Sequence, residues 1–554
     1  MLNLVMAFAV FQGSDRMPSS LPPLNLELAW KRVMHYHKDR TFVTNPFLDS
    51  WLDFSRADWL GHVGQRLFNG YEPTPPTSCW IPKEGGLCRP GVVLSPEDEI
   101  VFYTLLDAML PEISIYVQQV ESVALHPRLV RDISRVSLLE YYKNQWKYFR
   151  SKSTELLNNG LPYMVNTDIT SFYSSINIKS LISIMADLNI AQELRALLAK
   201  CLNTWSHNLA SGIPQGFMPS DVLSLVFLAE TDVELRRSGI SHLRYSDDIR
   251  IFAATETEAK RYLHKLDCLL LRRGLWLNSS KTEILHGEKA ISKISAQGKQ
   301  IDAVNRDFMD IYRTEMPMIG PYTPFWEIAA QIPHSQATPE ARVKAEQRFD
   351  EFMSSYQGGN FDRSLFHFLL PWLGALDSPH AIEPCKEILP SHPSEANYIL
   401  KYFKKFHNNH DIAQFLMDLA IGPNLIYDHT RYEIAKWLYE VGYTGRSAVQ
   451  WARSLLEGQK HDYLKAYAMA IIGRAGDRAD WEYLFRRYHD GLNDISKAET
   501  IHSIARMELS RRNGFYRQVE NESFFTKMAV KYVKALSGNI NLLFPTSIST
   551  SDTD

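Results

Sequence analysis

The sequence predicts an α+β chain. A mixed amino-terminal part carries a small sheet, and an all-helical part follows it. Three observations lead there. Short apolar runs with strand character end at acidic residues, first at Asp168 and again at Asp247-Asp248. Between them Pro214-Gln215-Gly216 forms a turn that opens an apolar helical stretch. Beyond residue 300 the strand signals give way to apolar stripes at helical spacing. The 554 residues suffice for several domains and a large core. Aromatics at 12% and charged residues at 22% describe a globular rather than a disordered chain.

Residues 1–20 are expected to be a dispensable leader, with Met17 an alternative start. Residues 1–12 are apolar but short, without a basic start or a clear small-residue cleavage site. No apolar run of about 18 residues is read anywhere, so no membrane partner is expected and the location is expected to be cytoplasmic. Residues 21–160 form the next segment. Helical patterns cover 26–37 and 46–68, and the prolines of 71–77 break the chain. Lys83 and Arg89 stand in a hairpin-like stretch, either as a phosphate grip or as solvated loop cations. Ser95-Pro96-Glu97 starts a helix whose apolar centre is residues 100–110. In residues 130–160, Arg131, Arg135, Lys143, Lys147, Arg150 and Lys152 alternate with Tyr141, Tyr142, Trp146, Tyr148 and Phe149. That mixture suits a nucleic-acid strand groove, and equally an amphipathic helix with a wet basic face.

Residues 161–300 hold the chemistry. Tyr163, Met164 and Val165 form a short strand that ends at Asp168. The flanks of Tyr245-Ser246-Asp247-Asp248 alternate, which places the aspartates at a tight hairpin turn. Adjacent carboxylates repel, so such a pair in an apolar setting implies a cation nearby. Taken singly, each is an ordinary turn aspartate. Together with the glutamine turn they have the layout of a polymerase palm. There, two divalent metals activate a 3′-hydroxyl and stabilise the leaving pyrophosphate.

These blocks resemble those of reverse transcriptases, in the same order, over roughly residues 80–290. Asp168 resembles the start of the first palm motif, and Tyr245-Ser246-Asp247-Asp248 the Tyr-x-Asp-Asp box. Gly212-Ile213-Pro214-Gln215-Gly216 with Ser220 resembles the motif that packs on nucleotide and template. Gly274-Leu275-Trp276-Leu277-Asn278 with Lys281-Thr282 resembles the motif whose lysine lies near the pyrophosphate. The resemblance implies right-hand fingers and palm. It implies Mg²⁺, with Mn²⁺ an alternative, held by Asp168, the Ile169 carbonyl, Asp247 and Asp248. Lys83, Arg89, Gln215 and Gly216 would position the nucleotide. Tyr173, five positions after Asp168, would reject a 2′-hydroxyl, so dNTPs are the implied substrates.

Residues 301–540 are read as an all-helical, HEAT-like repeat domain. Ile412, Phe415, Leu416 and Leu419 form one stripe. Ile434, Trp437, Leu438 and Val441 form a second, and Leu464, Tyr467, Ala468 and Ile471 a third. Ile501, Ile504 and Ala505 form a weaker fourth. The later stripes lie roughly 30 to 37 residues apart, as in stacked helical hairpins. Residues 541–554 are expected to be a disordered tail. Five scattered cysteines without a Cys-x-x-Cys pattern fit a reducing compartment and no structural zinc. The net charge of −3 weighs against long, non-specific duplex binding while leaving room for a local basic cleft.

A palm followed by helical repeats, without an RNase H, integrase or endonuclease segment, resembles the abortive-infection and unknown-group bacterial reverse transcriptases that defend against phage. That resemblance implies a homo-oligomer and a single-stranded DNA product, in some relatives started on a tyrosine of the protein without a template. Tyr516 and Tyr532 are the candidate priming residues among 26 tyrosines. Two alternatives stand beside it: a reverse transcriptase that copies a partner non-coding RNA, as retron or group II intron enzymes do, and a non-catalytic binding protein that keeps a palm as scaffold. Ser246, where alanine is commoner, and Asp221, where many relatives have proline, depart from the pattern without touching a metal ligand.

Overall fold

The computed structural model describes residues 21–37, 43–207, 209–295, 298–313, 324–333, 338–458 and 461–545. The expected leader and residues 546–554 of the expected tail lie outside them.

The amino-terminal segment opens with α1 (Leu26–His37), then α2 (Leu48–Phe54) and α3 (Arg56–Phe68). The single helical pattern expected over 46–68 is thus two helices that meet at Ser55, sharing a buried face of Trp51, Leu52, Trp59 and Val63. An antiparallel hairpin follows, β1 (Thr77–Pro82) and β2 (Cys88–Val93). Helix α4 (Pro96–Gln118) begins where Ser95 accepts the Asp98 amide and Pro96 fills the first turn. By length and composition α4 is apolar enough to cross a membrane, which corrects the expectation that no apolar run of about 18 residues occurs. It packs on α1, and its centre is buried.

The next elements are β3 (Ala124–His126), α5 (Tyr142–Asn158), β4 (Tyr163–Asp168), the single turn α6 (Phe172–Ser175), α7 (Ile178–Asp187), α8 (Gln192–Trp205) and α9 (Met218–Arg237). After them come β5 (Ser241–Tyr245), β6 (Asp248–Ala253), α10 (Glu256–Leu271), β7 (Glu283–His286) and α11 (Glu288–Ser295). Five strands form one sheet in the order β3-β5-β6-β4-β7, antiparallel except for β3 beside β5. The sheet therefore draws an edge strand from upstream of residue 161. Alternation along each strand sorts the residues. Val165, Ile249 and Ile251 enter the main core, on the side of α9 and α10. Met164, Leu243 and Phe252 enter a second core with Phe149 and Leu157 of α5 and Ala290 and Ile294 of α11. Both faces of the sheet are covered, as the α+β expectation requires.

Beyond the sheet the described chain is helical: α12 (Gly298–Tyr312), α13 (Phe325–Ala330), α14 (Pro339–Gln357), α15 (Arg363–Ala375), α16 (Ile382–Ser391), α17 (Ala396–Lys405) and α18 (His410–Ile421). Then follow α19 (Asp428–Glu440), α20 (Arg446–Glu457), α21 (Asp462–Ala475), α22 (Arg478–Arg487), α23 (Asp494–Ser503), α24 (Leu509–Val519) and α25 (Phe524–Leu536). Helices α13, α15, α17, α19, α21, α23 and α25 stack in succession as one layer. Each of α14, α16, α18, α20, α22 and α24 packs on the odd-numbered helix that follows it, which makes a solenoid of helical hairpins. The stripes read at 434–441, 464–471 and 501–505 fall on α19, α21 and the end of α23, all in the same layer.

That layer faces the amino-terminal segment. The Thr44 amide donates to the Tyr432 hydroxyl at 2.8 Å, and the Tyr427 hydroxyl donates to the Gly86 carbonyl at 3.0 Å, at the tip of the β1–β2 hairpin. One apolar core runs from Ala29 to Phe544. Trp51 donates its indole N–H to Nδ1 of His502 at 2.9 Å, so that nitrogen accepts and Nε2 donates to the Leu543 carbonyl at 2.7 Å. Burial pushes His502 down to about 4, so the ring is neutral in the folded state. An unfolded histidine titrates near 6.5, so between about 4 and about 6.5 the unfolded chain binds the extra proton and stability falls as pH drops. The stability advantage of wild type over His502→Gln is therefore expected to shrink as pH drops through that window. Thermal denaturation of both proteins across it checks this; a constant offset would contradict it.

Candidate active site

The hairpin turn is held from below. Asp168 at the end of β4 pairs with Asp248 at the start of β6, and the Ile169 amide donates to the Asp247 carbonyl at 3.2 Å. Tyr245 and Asp248 close the hairpin, with Ser246 in the left-handed region at φ 57. The Ser246 amide donates to the His126 carbonyl of β3 at 2.7 Å. The Arg244 guanidinium donates to the Ser246 carbonyl at 3.1 Å and, through Nε and Nη2, to the Asp232 carboxylate of α9 at 3.1 and 2.6 Å. Nε2 of His242 lies 3.2 Å from the same carboxylate. Asp232, His242 and Arg244 are all buried.

A second loop brings in the lysine. Residues 276–278 run alongside β4: the Thr170 amide donates to the Trp276 carbonyl at 2.8 Å and the Asn278 amide to the Asp168 carbonyl at 2.9 Å. The Asn278 side chain accepts from the Ser280 amide and hydroxyl, an Asx turn that projects Lys281 back over the sheet. Nζ of Lys281 then lies 2.8 Å from Oδ2 of Asp168, and this contact raises its pKa above the ordinary lysine range. On the hairpin tip, Lys83 is held below that range by partial burial and by the positive charges of Arg89 and Lys281, while Asp247 and Asp168 oppose the shift. Three cations and three carboxylates thus share one cleft.

The carboxylates are uneasy neighbours. Burial, then Asp247 and Asp168, push Asp248 up to about 7, although its side chain still opens to solvent in the cleft. Burial and Asp168 also raise Asp247. Oδ1 of Asp168 is buried without a hydrogen-bond partner. Crowded carboxylates and an orphaned oxygen fit a hard divalent cation that takes its remaining ligands from phosphate and water. The expected set of Asp168, the Ile169 carbonyl, Asp247 and Asp248 is nevertheless not a closed metal cage. Among the described residues no three or more His, Cys, Asp or Glu side chains are gathered closely enough for that. In this arrangement the Lys281 ammonium lies on Asp168.

The glutamine turn and Tyr173 are stapled together. The Ile213 amide donates to the Tyr173 carbonyl at 3.0 Å, and the Gly212 amide to the Ile176 carbonyl at 2.9 Å. Gly212 has φ +94 and lies so close to Ser174 that a Cβ would stand 3.4 Å from its carbonyl oxygen. Gln215 is half-buried and Gly216 exposed beside it. The Tyr173 hydroxyl donates to Oδ1 of Asp221 in the first turn of α9 at 2.6 Å. Ser220, next to it, is buried with an unpartnered hydroxyl.

Other candidates stand elsewhere. Tyr516 is fully buried and donates to the Ile501 carbonyl at 2.7 Å. Tyr532 is half-buried, its ring 5.3 Å from Phe54 and 5.8 Å from His502. Tyr516 is thus a core residue, which corrects its place among the priming candidates. In α5, Trp146 and Phe149 pack under Tyr245, Lys143 pairs with Glu327 at 2.9 Å, and Arg150 donates to the Ile294 carbonyl at 3.1 Å. For those four the structural reading holds, leaving Lys147 and Tyr148 exposed. The sequence reading missed the Asp232–Arg244–His242 group and the Asp221 contact. An aspartate inside the apolar run of α9 and two basic residues on one face of a strand were the available signals.

Comparison with known proteins places this geometry. Residues 81–316, less than half of the chain, match the family described as reverse transcriptase (RNA-dependent DNA polymerase). That span contains the β5–β6 hairpin, the five-stranded sheet and every residue of the cleft, so the chain carries a reverse-transcriptase-like polymerase fold. No curated protein matches. Among solved structures, a truncated apo telomerase from Candida tropicalis is similar at 15% identity and TM-score 0.29, over 38% of this chain and 50% of that one. The chain thus spans half the length of that relative. Telomerase from Candida tropicalis in complex with a TWJ fragment of telomeric RNA is similar at 13% identity and TM-score 0.31, over 69% and 67%. The corresponding Candida albicans complex is similar at 10% identity and TM-score 0.29, over 78% and 74%.

Proposed function

We propose that the protein is a reverse-transcriptase-like DNA polymerase that adds dNTPs by metal-assisted nucleotidyl transfer. The observation that carries this is the convergence of Asp168, Asp247 and Asp248 with Lys281, Lys83 and Arg89 in one cleft of a sheet that matches the family. Asp168, Asp247 and the Ile169 carbonyl would hold a divalent cation, Mg²⁺ or Mn²⁺, with Asp248 in support. When bound, that cation supplies charge neutralisation at the phosphates and lowers the pKa of the attacking hydroxyl. Lys83 and Arg89 grip the triphosphate from the hairpin tip as the incoming hydroxyl approaches the α-phosphate. Gln215 and Gly216 present backbone and amide to the nucleotide, and Tyr173 stands at the 2′ edge of its sugar. Lys281 lies where it can donate a proton to the departing pyrophosphate. A scaffold that only binds has no use for this set of charges.

The carboxy-terminal solenoid supports a place among the phage-defence reverse transcriptases, acting as a homo-oligomer in the cytoplasm and making single-stranded DNA. Protein priming without a template belongs to this reading, with Tyr532 or another accessible tyrosine as the start. The match to a family described as RNA-dependent favours the second reading, a polymerase that copies a partner non-coding RNA. Purified protein incubated with Mg²⁺ and each labelled dNTP, without primer or template, separates the two. Label that stays with the protein through phenol and is released by protease is expected for self-priming. Incorporation into free product only when the co-purified RNA is added is expected for the templated reading. No incorporation with or without RNA overturns both.

A further inference from the structure

Asp221 stands in the first turn of α9, on a different element from the carboxylates of the hairpin turn, and its carboxylate reaches the tyrosine that the polymerase reading places at the sugar. Tyr173 sits on α6, a single turn that begins with Ser171 in the left-handed region, so its backbone has little secondary structure of its own to fix it. Contacts at both ends of the residue fix it instead. Its carbonyl accepts from Ile213 of the glutamine turn, and its hydroxyl donates to Asp221 at 2.6 Å. A hydroxyl bound to a carboxylate at that distance makes a short, charge-assisted bond, stronger than one between neutral groups. Burial pushes Asp221 up to about 6 and the Tyr173 hydrogen bond opposes that shift; among the described residues no arginine, lysine or histidine pairs with its carboxylate. Ser224, one turn along α9, donates to the Asp221 carbonyl at 2.8 Å and steadies that turn. The Ser224 side chain and that of Ser246, next to Asp247, also reach the Tyr173 hydroxyl, so the tether ends beside the hairpin turn.

We propose that Asp221 is a specificity-determining positioning residue. By holding the Tyr173 hydroxyl it fixes the ring at the 2′ edge of the incoming sugar, and so sets how strictly dNTPs are chosen over rNTPs. The inference rests on the polymerase reading. A ring free to swing about its side-chain torsions can yield to a 2′-hydroxyl, whereas a ring pinned at both ends cannot without breaking a buried hydrogen bond. Asp221 touches neither the nucleotide nor the reacting atoms; it acts through Tyr173.

The test is single-nucleotide addition with dATP and ATP, read as kcat/KM for each, together with equilibrium binding of the same two nucleotides in Ca²⁺. The proteins are wild type, Asp221→Ala, Asp221→Asn, Tyr173→Phe and the Asp221→Ala/Tyr173→Phe double variant, each checked for folding by thermal melt. Asp221→Ala and Tyr173→Phe are each expected to lower the dATP/ATP ratio by about tenfold, chiefly by lowering KM for ATP. The double variant is expected to match Tyr173→Phe, because the Asp221 contact is already lost with that hydroxyl. Asp221→Asn keeps an acceptor and is expected to recover part of the ratio. A role confined to folding would lower both nucleotides alike and leave the ratio unchanged. An unchanged ratio in folded Asp221→Ala, or effects that multiply in the double variant, overturns the proposal and leaves the polymerase reading intact. Wild-type protein that binds neither nucleotide overturns both.

Discussion

Asp247→Asn is expected to cut dNTP incorporation by about a thousandfold or more while leaving the fold as stable as wild type or more so. A carboxylate that holds a catalytic cation contributes several kcal/mol of transition-state stabilisation, and each 1.36 kcal/mol is about tenfold in rate. Without the cation, the same carboxylate stands in a buried cleft beside Asp168, which raises its pKa. An amide of equal size keeps the hairpin turn, whose ties are backbone bonds from Ile169 to Asp247 and from Ser246 to His126. Removing the charge relieves repulsion and costs no packing. Incorporation assays paired with thermal melts in chelator check both halves. A variant that keeps incorporating removes Asp247 from the chemistry; one that loses activity only because it unfolds leaves its role as structural support.

Arg244→Ala is expected to be among the most destabilising single changes outside the apolar core, at about 3–5 kcal/mol. Arg244 is 1% exposed and Asp232 likewise 1%, and the guanidinium binds that carboxylate through two nitrogens. Truncating it strands a buried negative charge and frees the Ser246 carbonyl at the root of the Asp247-Asp248 turn. Burial alone would raise Asp232, but Arg244 and His242 outweigh it and hold the group below the ordinary carboxylate range. A depressed folded-state pKa contributes stability that is present above the unfolded value, near 3.9, and lost as pH falls through the folded one. Wild type is therefore expected to lose this contribution only below about pH 4. An Arg244→Ala/Asp232→Ala double variant is expected to cost less than the two single changes added together, since the second removes the stranded charge. Denaturant unfolding of the three variants measures it. A cost below about 1 kcal/mol for Arg244→Ala would show that water reaches the pair.

What could be read from sequence follows the range of each physical signal. Asp168 and Asp247-Asp248 were readable because a strand's alternation and its terminal turn are local patterns. The structure adds that Asp168 and Asp248 are cross-strand partners. The solenoid was readable for the same reason: the stripes on α19 and α21 are apolar faces of single helices. The break at Ser55 was not, because propensity alone carries the helical pattern through it while tertiary packing of Trp51 and Trp59 decides the joint. Partnerships across the chain were not readable either. Asp221 meets Tyr173 and Asp232 meets Arg244 only after α9 has docked on the sheet, and no spacing rule encodes that docking. The basic and aromatic mixture around α5 shows the converse. Its composition suits nucleic acid, but Lys143, Trp146, Phe149 and Arg150 are taken up by Glu327, Tyr245 and Ile294. Tyr516 shows how little a candidate chosen without burial is worth, since its hydroxyl is enclosed and bonded to a carbonyl.

The measurement that bears most directly on the central claim is pyrophosphate release from dNTPs by purified wild-type protein in Mg²⁺ and in Mn²⁺. It is made alone, with a primed RNA template, and with the RNA that co-purifies, beside the Asp247→Asn protein. Release in at least one of these conditions by wild type, and in none by the variant, is the predicted result. Wild-type protein that releases no pyrophosphate in any of them, or a variant that releases as much, would contradict the assignment of this cleft to nucleotidyl transfer.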